Sequence, residues 1–321
     1  MNAVQIHKYG GPRVLVFEEV PRPKPKANEL LIRVHATSVN PADWQIRSGR
    51  RFKLKKPFSL ILGFDVSGVV ESIGSSVKNF KVGDAVYGMV DVRKGGAYAE
   101  YVVAPEINFA HKPKMLDHNH AAALPVVALT AWQALFEAAR VSAGQKVLIH
   151  AAAGGVGHIA VQLAKWKGAY VIGTASGQNE NFLCKNGVDE FVNYRSKPFE
   201  DVVREVDVVL EAVNRDIRVE RTRGETLERS WRVLRKNGVL VSICDTGISK
   251  TASAYGLRGK YILAQPNAAQ LAEIAELADA GHVKPFISTV LSLKEARKAH
   301  KLSHMGHTRG KIVLQVIKSD F

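Results

Sequence analysis

Residues 150–161 read HAAAGGVGHIAV, a run of alanine and glycine without carboxylate, lysine or arginine side chains. The run follows the apolar segment KVLI (146–149) and leads into a segment with helical spacing of apolar residues. A glycine-rich turn between a buried strand and a helix is the context in which backbone amides bind a dinucleotide pyrophosphate. We expect Gly154 to permit a tight turn and Gly157 to let the helix pack on the strand. The residues expected to contact the pyrophosphate are Gly154, Gly155, Val156 and Gly157.

Strand and helix patterns alternate on both sides of this turn, between about residues 123 and 265. Apolar runs predict strands at 146–151, 169–175, 190–194, 206–213 and 238–244. Helical spacing is found at 129–141, 156–168, 179–188 and 224–237. This alternation is the signature of a Rossmann-type, doubly wound parallel sheet, so we assign residues 123–265 to a dinucleotide-binding domain.

The remainder of the chain has a different pattern. Strands separated by turn residues are predicted at 14–20, 29–39, 66–74, 84–90 and 95–105. Because these segments contain no βαβ crossover pattern, we expect a mainly antiparallel, barrel-like domain over residues 1–122. The tail shows helical spacing at 270–281 and 293–304 and a strand at 310–317, and we expect residues 266–321 to complete the first domain. The fold class is therefore α/β plus mainly β.

Composition narrows the classes of function. The 321 residues carry a formal charge of +15, but the basic clusters are scattered, so we expect a solvated surface and no nucleic-acid partner. The two cysteines are too few for a disulfide scaffold or a zinc ribbon. Neither an apolar run of about 18 residues nor a secretory signal pattern is present, so we expect a cytoplasmic protein that does not bind membranes.

The second predicted strand ends in GTASGQ (173–178), where NAD-binding domains usually place a carboxylate for the ribose 2′-hydroxyl. The absence of Asp and Glu from this segment favours NADP. Ser176 and the cation Lys185 are candidates for binding the 2′-phosphate, as is Arg195, and the alternative for the two cations is surface charge. Cys244 and Asp245 end a strand at the carboxyl edge of the sheet, where ligands bind in such folds.

Several segments resemble one family. AAAGGVGHIAVQLAKWKGA (151–169) is similar to the signature of quinone oxidoreductases in the medium-chain dehydrogenase/reductase superfamily, and LGFDVSGVVESIGSSVKNFKVGDAVYG (62–88) to a segment of the N-terminal domain. SVNPADWQIRSG (38–49), GKYILAQPN (259–267) and HTRGKIVL (307–314) fit the same family. The resemblance implies a GroES-like barrel, a Rossmann domain, an active site between them and homodimers formed through the strand around 259–265.

The zinc-binding branch of the superfamily holds its catalytic metal with two Cys and one His. At the corresponding positions this chain has Asn40 and Phe64, and no cysteine precedes Cys184. Histidines cluster at 111–120 and 300–307, where packing or surface roles are the better interpretation. Without a Lewis acid, an unactivated alcohol is a poor hydride donor, whereas a conjugated acceptor needs only a hydrogen bond at its carbonyl oxygen. We therefore expect metal-free, NADPH-dependent reduction of a quinone or an α,β-unsaturated carbonyl.

The resemblance also assigns roles to individual residues. Asn40 is expected to donate to a carbonyl oxygen, and Asp43 either acts in catalysis or organises its loop by accepting backbone N–H groups. The substrate-binding candidates are Trp44, Arg47, Phe52 and Phe64, the last filling the space of the metal. The further cofactor-binding candidates are Thr130, Tyr194, Leu263, Gln265 and Lys311, with Arg309 as a weaker match to the position of Lys311.

Two other functions fit the same sequence. A zinc-free enoyl-thioester reductase needs a cationic clamp, which Arg47, Arg50 and Arg51 are able to supply. A non-enzymatic NADPH-binding or nucleic-acid-associated protein is consistent with the high charge. The basic segment NRDIRVERTRG (214–224) is longer than the link that the family has after this strand, and it is either a mobile loop over the cofactor or surface decoration.

Overall fold

The computed structural model describes residues 1–50, 58–213 and 220–317, with side chains from residue 226 onward in the helix 220–233. Phe52, Arg51 and residues 214–219 therefore lie outside the described residues. The chain divides into two compact units, one formed by Met1–Leu129 with Gln265–Phe321 and the other by Thr130–Ala264. We call these the barrel unit and the nucleotide unit. The domain ranges expected from the sequence stay a prediction.

The strands, in chain order, are β1 Asn2–Ile6, β2 Leu15–Glu19, β3 Glu29–Val39, β4 Leu60–Ile61, β5 Asp65–Ile73, β6 Ala85–Met89, β7 Tyr101–Pro105, β8 Phe109–His111, β9 Lys146–Ile149, β10 Tyr170–Ala175, β11 Glu190–Asn193, β12 Val206–Glu211, β13 Leu234–Ser242, β14 Arg258–Tyr261, β15 Ile287–Ser292 and β16 Lys311–Gln315. The α-helices are α1 Pro41–Arg47, α2 His118–Ala122, α3 Pro125–Trp132, α4 Gly155–Trp166, α5 Glu180–Lys185, α6 Glu220–Val233, α7 Ile248–Ala254, α8 Ala268–Asp279 and α9 Ala296–Met305.

The nucleotide unit is built on a six-stranded sheet in the order β11-β10-β9-β12-β13-β14. All neighbouring strands in this sheet are parallel. Renumbered within the unit, the order is 3-2-1-4-5-6, which is that of the Rossmann fold. The prediction of a doubly wound parallel sheet is therefore confirmed. Its strands are buried on both faces, as β9 and β12 illustrate, which explains their continuous apolar runs.

The barrel unit contains a seven-stranded sheet in the order β15-β16-β3-β5-β6-β8, with β7 also paired to β3, and a three-stranded sheet in the order β2-β1-β4. Its pairs are antiparallel except for the parallel pair of β15 and β16. The tail strand β16 pairs with β3, with Ile312 opposite Val39. The apolar side chains of both ends of the chain thus share one core, in which Phe64 and Leu314 are buried.

Several sequence-based boundaries were wrong, among them the end of the helix expected at 224–237, because β13 already begins at Leu234. Two other errors have a local reason. The predicted strand 95–105 begins only at Tyr101, because Gly95 and Gly96 have φ values of 63° and 117°, which extended strands do not adopt. The helix expected at 129–141 starts earlier, at Pro125, and continues after Trp132 as a π-helical segment, Gln133–Ala138. Proline at the first helical position is favourable because its missing N–H has no partner there in any helix.

Candidate functional site

The first candidate site lies at the carboxyl edge of the parallel sheet. The strand order reverses between β9 and β12, because the chain leaves β9 toward β10 on one side and later returns to β12 on the other. In open parallel sheets, ligands bind outside the carboxyl ends of the strands at such a reversal. The loop that follows β9 at this point is residues 150–154, and it leads directly into α4. The glycine-rich segment thus lies where the fold places nucleotides.

Gly157 is required for the packing of this loop. A Cβ atom at Gly157 would lie 2.3 Å from the backbone oxygen of Ala151 and 2.7 Å from Cα of Ala152. Gly154 has an extended conformation, with φ −77° and ψ −178°, that any residue adopts. The left-handed residue of the turn is instead Ala151, with φ 51°. Gly154 closes the turn, since its N–H donates to Ala151 O at 2.9 Å, but its backbone conformation does not require glycine, whereas the packing at Gly157 does.

The first turn of α4 presents backbone N–H groups toward the loop. The first N–H groups of a helix have no carbonyl partner within the helix. Gly154, the residue before α4, has no side chain to accept them, so the amides of Gly155, Val156 and Gly157 are placed for an anion. His158 is buried in the same turn and contacts the oxygen of Gly154 through Nδ1 at 2.8 Å. This geometry fits a pyrophosphate.

His150 is a residue of this site that the sequence reasoning missed. Its Nδ1 lies 3.0 Å from Oγ1 of Thr174 in β10, and its Nε2 lies 2.9 Å from Oγ of Ser230 in α6. Burial, and after it the charge of Arg229, lowers the pKa of His150 to about 3. The neutral ring therefore connects the start of the loop to β10 and α6. The available signal was a histidine placed directly after a buried strand in an otherwise apolar loop.

The residues expected at the adenosine end occupy different places. Ser176 is buried directly after β10, where its Oγ accepts from Nδ2 of Asn179 at 3.0 Å. Tyr194 follows β11 and is half exposed, with the Arg195 guanidinium 6.0 Å from its ring centroid. Lys185 lies at the far end of α5 from Ser176, two residues before Gly187, which faces Lys165 in the last turn of α4. This placement separates Lys185 from the first turn of α4, and its role stays a prediction.

Further nucleotide-site candidates lie after β13, after β14 and in α3. The hydroxyl of Ser242 accepts from the backbone amides of Cys244 and Asp245 at 3.1 and 2.8 Å, and it donates to Glu211 at the end of β12. These hydrogen bonds define the turn that carries Cys244 at the carboxyl edge. Leu263 follows β14 and is half-buried, Thr130 is buried in α3, and Gln265 is exposed and belongs to the barrel unit. Their cofactor contacts stay predictions.

The second candidate site is a buried polar cluster in the barrel unit, formed by Asn40, Asp65 and Lys311. Asn40 Nδ2 donates to Asp65 Oδ2 at 2.7 Å, and Lys311 Nζ donates to Asn40 Oδ1 at 2.6 Å. Asp65 also accepts from Ser38 Oγ at 2.5 Å and from the backbone amide of Val126 at 2.7 Å. We call these three residues the amide–ammonium cluster. It contains Lys311, which the sequence analysis had assigned to the cofactor.

Asp43 organises the segments around this cluster. Its carboxylate accepts from the backbone amides of Asn40 at 2.7 Å and Gly63 at 3.1 Å. It is also hydrogen-bonded to the Tyr98 hydroxyl. Burial raises the pKa of Asp43 to about 7, although the hydrogen bond from Asn40 opposes the rise. Of the two roles expected from the sequence, catalysis or organisation of the loop, these contacts fit the second. The carboxyl group of Asp43 accepts backbone N–H groups of its own loop and of the segment before Phe64.

Trp44 and Arg47, the proposed substrate-binding residues of α1, pack against α9. Each is only 2 % exposed. Trp44 Nε1 donates to Ser303 Oγ at 3.2 Å, while the Arg47 guanidinium contacts His300 Nδ1 at 3.0 Å and donates from Nε to Gly10 O at 3.1 Å. Burial, and then the charge of Arg47, lowers the pKa of His300 to about 3, so the ring is a neutral acceptor. These contacts direct both side chains into the protein, and a role in substrate binding stays a prediction that the placement does not support.

Phe64, which the family resemblance places at the histidine position of the zinc-binding branch, is buried in the apolar core of the barrel unit. Asn40, which the same resemblance places at the position of the first cysteine, has its carboxamide bonded to a carboxylate and an ammonium. Within residues 1–50, 58–213 and 220–317, no group of three or more His, Cys, Asp or Glu side chains is arranged to hold a metal ion.

The raised pKa of Asp43 predicts a specific pH dependence of stability. Between about pH 4 and pH 7 the folded state binds this proton and the unfolded state does not, so its stabilising contribution is complete at low pH and is lost as pH rises through 7. The variant Asp43→Asn does not titrate. Its free energy of unfolding, relative to wild type, should therefore increase from pH 5 to pH 8, by an amount on the order of 2 kcal/mol. Urea unfolding at both pH values measures the change.

An exposed carboxyl of the same unit serves as the control for this experiment. Glu19 lies at the exposed end of β2, and Glu19→Gln should leave the pH dependence of unfolding as it is in wild type. Equal pH dependence in Asp43→Asn and wild type would show that Asp43 is ionised throughout this range.

Sequence and structure comparisons agree with both units. Residues 26–114 match the family described as alcohol dehydrogenase GroES-like domain, and residues 186–314 match the family described as zinc-binding dehydrogenase. The quinone oxidoreductase of Sus scrofa is 34 % identical over 98 % of this chain and 97 % of its own length. Within the described part of the chain, no helix combines the length and the apolar character needed to cross a bilayer.

Two solved structures support the same relationship. The quinone oxidoreductase from Coxiella burnetii is 37 % identical, with a TM-score of 0.90 and coverage of 99 % of both chains. The Escherichia coli quinone oxidoreductase complexed with NADPH is 29 % identical, with a TM-score of 0.87 and coverage of 98 % of this chain and 100 % of that one. The chain belongs to the quinone oxidoreductases of the medium-chain dehydrogenase/reductase superfamily, and it is an NAD(P)H-dependent oxidoreductase with a GroES-like and a Rossmann-like domain.

Proposed function

We propose that this enzyme transfers hydride from NADPH to a quinone or an α,β-unsaturated carbonyl compound without a catalytic metal. The observation that carries the proposal is the amide–ammonium cluster, in which the Asn40 carboxamide, bonded to Lys311 and Asp65, provides a hydrogen-bond donor at the position that the family resemblance gives to a metal ligand in the zinc-binding branch. Such donors stabilise developing negative charge on a carbonyl oxygen. An acceptor that is already conjugated needs no stronger activating group, such as a metal ion, at its carbonyl oxygen.

The residues of the nucleotide unit support NADP. The loop after β9 requires glycine at position 157, and the first turn of α4 offers its amides to a pyrophosphate. The segment between β10 and α5 supplies Ser176 and no carboxylate, which favours a 2′-phosphate over a free 2′-hydroxyl. The related Escherichia coli enzyme was solved in complex with NADPH. Tyr194 and Ser176 are the proposed contacts of the adenosine end.

Zinc does not fit the residues of the barrel unit. Neither the phenyl ring of Phe64 nor the carboxamide of Asn40 replaces the thiolate and imidazole ligands that zinc prefers. The Lys311 ammonium, 2.6 Å from Asn40 Oδ1, would also repel a divalent cation at this place. The proposed reaction therefore involves no metal ion.

The residues of the chain have two tasks in the proposed reaction. When bound, NADPH supplies the hydride. One N–H of Asn40 Nδ2 donates a hydrogen bond to Asp65, and we assign the second N–H to a hydrogen bond with the carbonyl oxygen of the acceptor, where negative charge develops. Asp43 holds the backbone of Asn40 and Gly63 in place. Because these donors are already positioned before the acceptor arrives, little reorganisation is needed as charge develops.

The structure removes one of the three arginines that the sequence offers for the enoyl-thioester alternative. Of the three arginines considered for an anionic clamp, Arg47 is bonded to His300 and Gly10, Arg50 is exposed, and Arg51 lies outside the described residues. Because the chain belongs to an oxidoreductase family, we do not propose the non-enzymatic alternative.

We propose in addition that the protein is a homodimer, formed through β14, which is an edge strand of the parallel sheet.

A panel of acceptors tests the proposed function. NADPH oxidation, followed at the nicotinamide absorbance band, should be fast with benzoquinones and enones and absent with saturated ketones. NADH should be at least about tenfold less efficient, which corresponds to about 1.4 kcal/mol. A metal chelator should not change the rate. Loss of activity on chelation, or turnover of alcohols instead of enones, would contradict the proposal.

A matched variant isolates the nucleotide preference. Ser176→Asp places a carboxylate at the end of β10, where NAD enzymes have one, and should shift the preference toward NADH. An unchanged preference in this variant would move the 2′-phosphate site away from Ser176.

A further inference from the structure

The hydrogen-bond acceptors around the buried Lys311 side chain favour its charged, ammonium form. The side chain is 3 % exposed, and Nζ has three acceptors: Asn40 Oδ1 at 2.6 Å, Val39 O at 3.3 Å and Asp65 Oδ2 at 3.4 Å. An ammonium has three N–H donors, whereas a neutral amine has two and a lone pair. Three acceptors, one of them a carboxylate, therefore fit the charged form.

The contacts of Asp65 agree with this charge. Its two oxygens accept from Ser38, Asn40, Lys311 and the backbone amide of Val126. A carboxyl that accepts four hydrogen bonds, one of them from an ammonium, is accommodated as the ionised, acceptor-only form. The cluster is thus a buried ion pair bridged by a neutral amide, because Asn40 accepts from the ammonium and donates to the carboxylate.

This order of hydrogen bonds has a chemical consequence for Asn40. A hydrogen bond to an ammonium is stronger than one to a neutral donor, and hydrogen bonds in series polarise one another. With Lys311 drawing electron density toward Oδ1, the N–H groups of the same carboxamide become better donors. Asp65 fixes the rotation of the amide, because its carboxylate accepts only from the nitrogen side.

We infer that Lys311 is a positioning residue that orients and polarises the Asn40 carboxamide, so that the second Nδ2 proton becomes a strong donor to the carbonyl oxygen of the acceptor. This inference rests on the proposed function, and it replaces the role in cofactor binding that the sequence suggested for Lys311. The fixed charge of Lys311, acting through the Asn40 carboxamide, then provides the electrostatic stabilisation that a Lewis acid would provide.

A double-mutant cycle between Lys311 and Asn40 tests the inference. Lys311→Met should lower kcat by about 30-fold to 100-fold and leave the Kd for NADPH, measured by fluorescence quenching, within twofold of wild type. Lys311→Arg should recover a large part of kcat because it keeps a charged donor. In the Asn40→Ala background, Lys311→Met should have no further effect on kcat, since the proton that it polarises is gone.

Folding of the variants is controlled separately. Lys311→Met leaves a buried carboxylate without its cation, so Lys311→Met/Asp65→Asn, which removes both charges, is the second variant of the cycle. The exposed lysine of α9, Lys298, provides the matched control Lys298→Met, which should keep wild-type kcat. A readout without turnover is the side-chain amide resonance of Asn40 in protein labelled with ¹⁵N-asparagine, which should shift in Lys311→Met and stay in Lys298→Met.

Each outcome decides between roles. A weaker Kd for NADPH with unchanged kcat would return Lys311 to the cofactor site, and additive losses in the cycle would reduce it to a structural ion pair. Both results overturn the inference while the wild-type enzyme still reduces quinones. A wild-type enzyme inactive toward every acceptor overturns the proposed function instead, and the Asn40 resonance still reports whether Lys311 polarises the amide.

Discussion

Replacing Gly157 by alanine should destabilise the nucleotide unit more than a methyl group added at any position of the preceding loop, residues 150–154. The new Cβ would lie 2.3 Å from Ala151 O and 2.7 Å from Ala152 Cα, and both are backbone atoms that side-chain rotation does not move. Either α4 or the loop must shift. We expect a loss of about 3 kcal/mol of stability, and a Kd for NADPH weakened on the order of 100-fold because the amides of the first turn move with the loop.

Two other glycines provide the comparison for this experiment. Gly11→Ala should be neutral, because φ is −70° and a Cβ there meets nothing within 4 Å. Gly154→Ala should fold well, because φ is −77° and its Cβ meets only Ala151 O at 3.2 Å, but it should weaken NADPH binding if the pyrophosphate approaches this backbone. Thermal unfolding and NADPH titration of all three variants measure both effects. Wild-type affinity in Gly157→Ala would place the pyrophosphate elsewhere.

The Rossmann sheet was predictable because its signals are local. Buried parallel strands are continuous apolar runs, helices repeat apolar residues every three or four positions, and glycine separates the two at 154–157. The strand order then follows from general rules for parallel sheets. The exact turn geometry did not follow, because the left-handed residue at the start of the loop is Ala151, a residue type that rarely adopts positive φ.

The side-chain contacts of the barrel unit were not predictable, because they join distant parts of the chain. Arg47 contacts His300 and Trp44 contacts Ser303, more than 250 residues away in both cases. From the sequence, α1 presented an aromatic and a cationic residue beside a candidate site, which favoured a role in substrate binding. Burial against α9 became visible only when the tail strand β16 was placed beside β3.

The hydrogen bonds within the amide–ammonium cluster were not predictable from the sequence either, because its residues come from distant strands. Asn40 directly follows β3, Asp65 begins β5 and Lys311 begins β16, so pairing of β3 with both other strands brings the three side chains together. The family resemblance identified Asn40 and Lys311 separately, and assigned them to substrate and cofactor. Only the register of the sheet shows that they are bonded to each other, and that Asp65, which the sequence analysis did not single out, joins them.

Asn40→Ala should have the largest effect on turnover of any variant in the barrel unit. The side chain is 3 % exposed, and its removal takes away the donor that we assign to the carbonyl oxygen, so we expect kcat to fall about 100-fold to 1000-fold. The Kd for NADPH should not change, because Asn40 is not part of the loop between β9 and α4. The fold should survive, because Lys311 Nζ and Asp65 Oδ2, 3.4 Å apart, remain paired when the amide is lost. Steady-state kinetics with a benzoquinone and an enone measure the effect, and the exposed Asn28→Ala is the control. A kcat within threefold of wild type would remove Asn40 from the reaction, and with it the amide as the substitute for a metal.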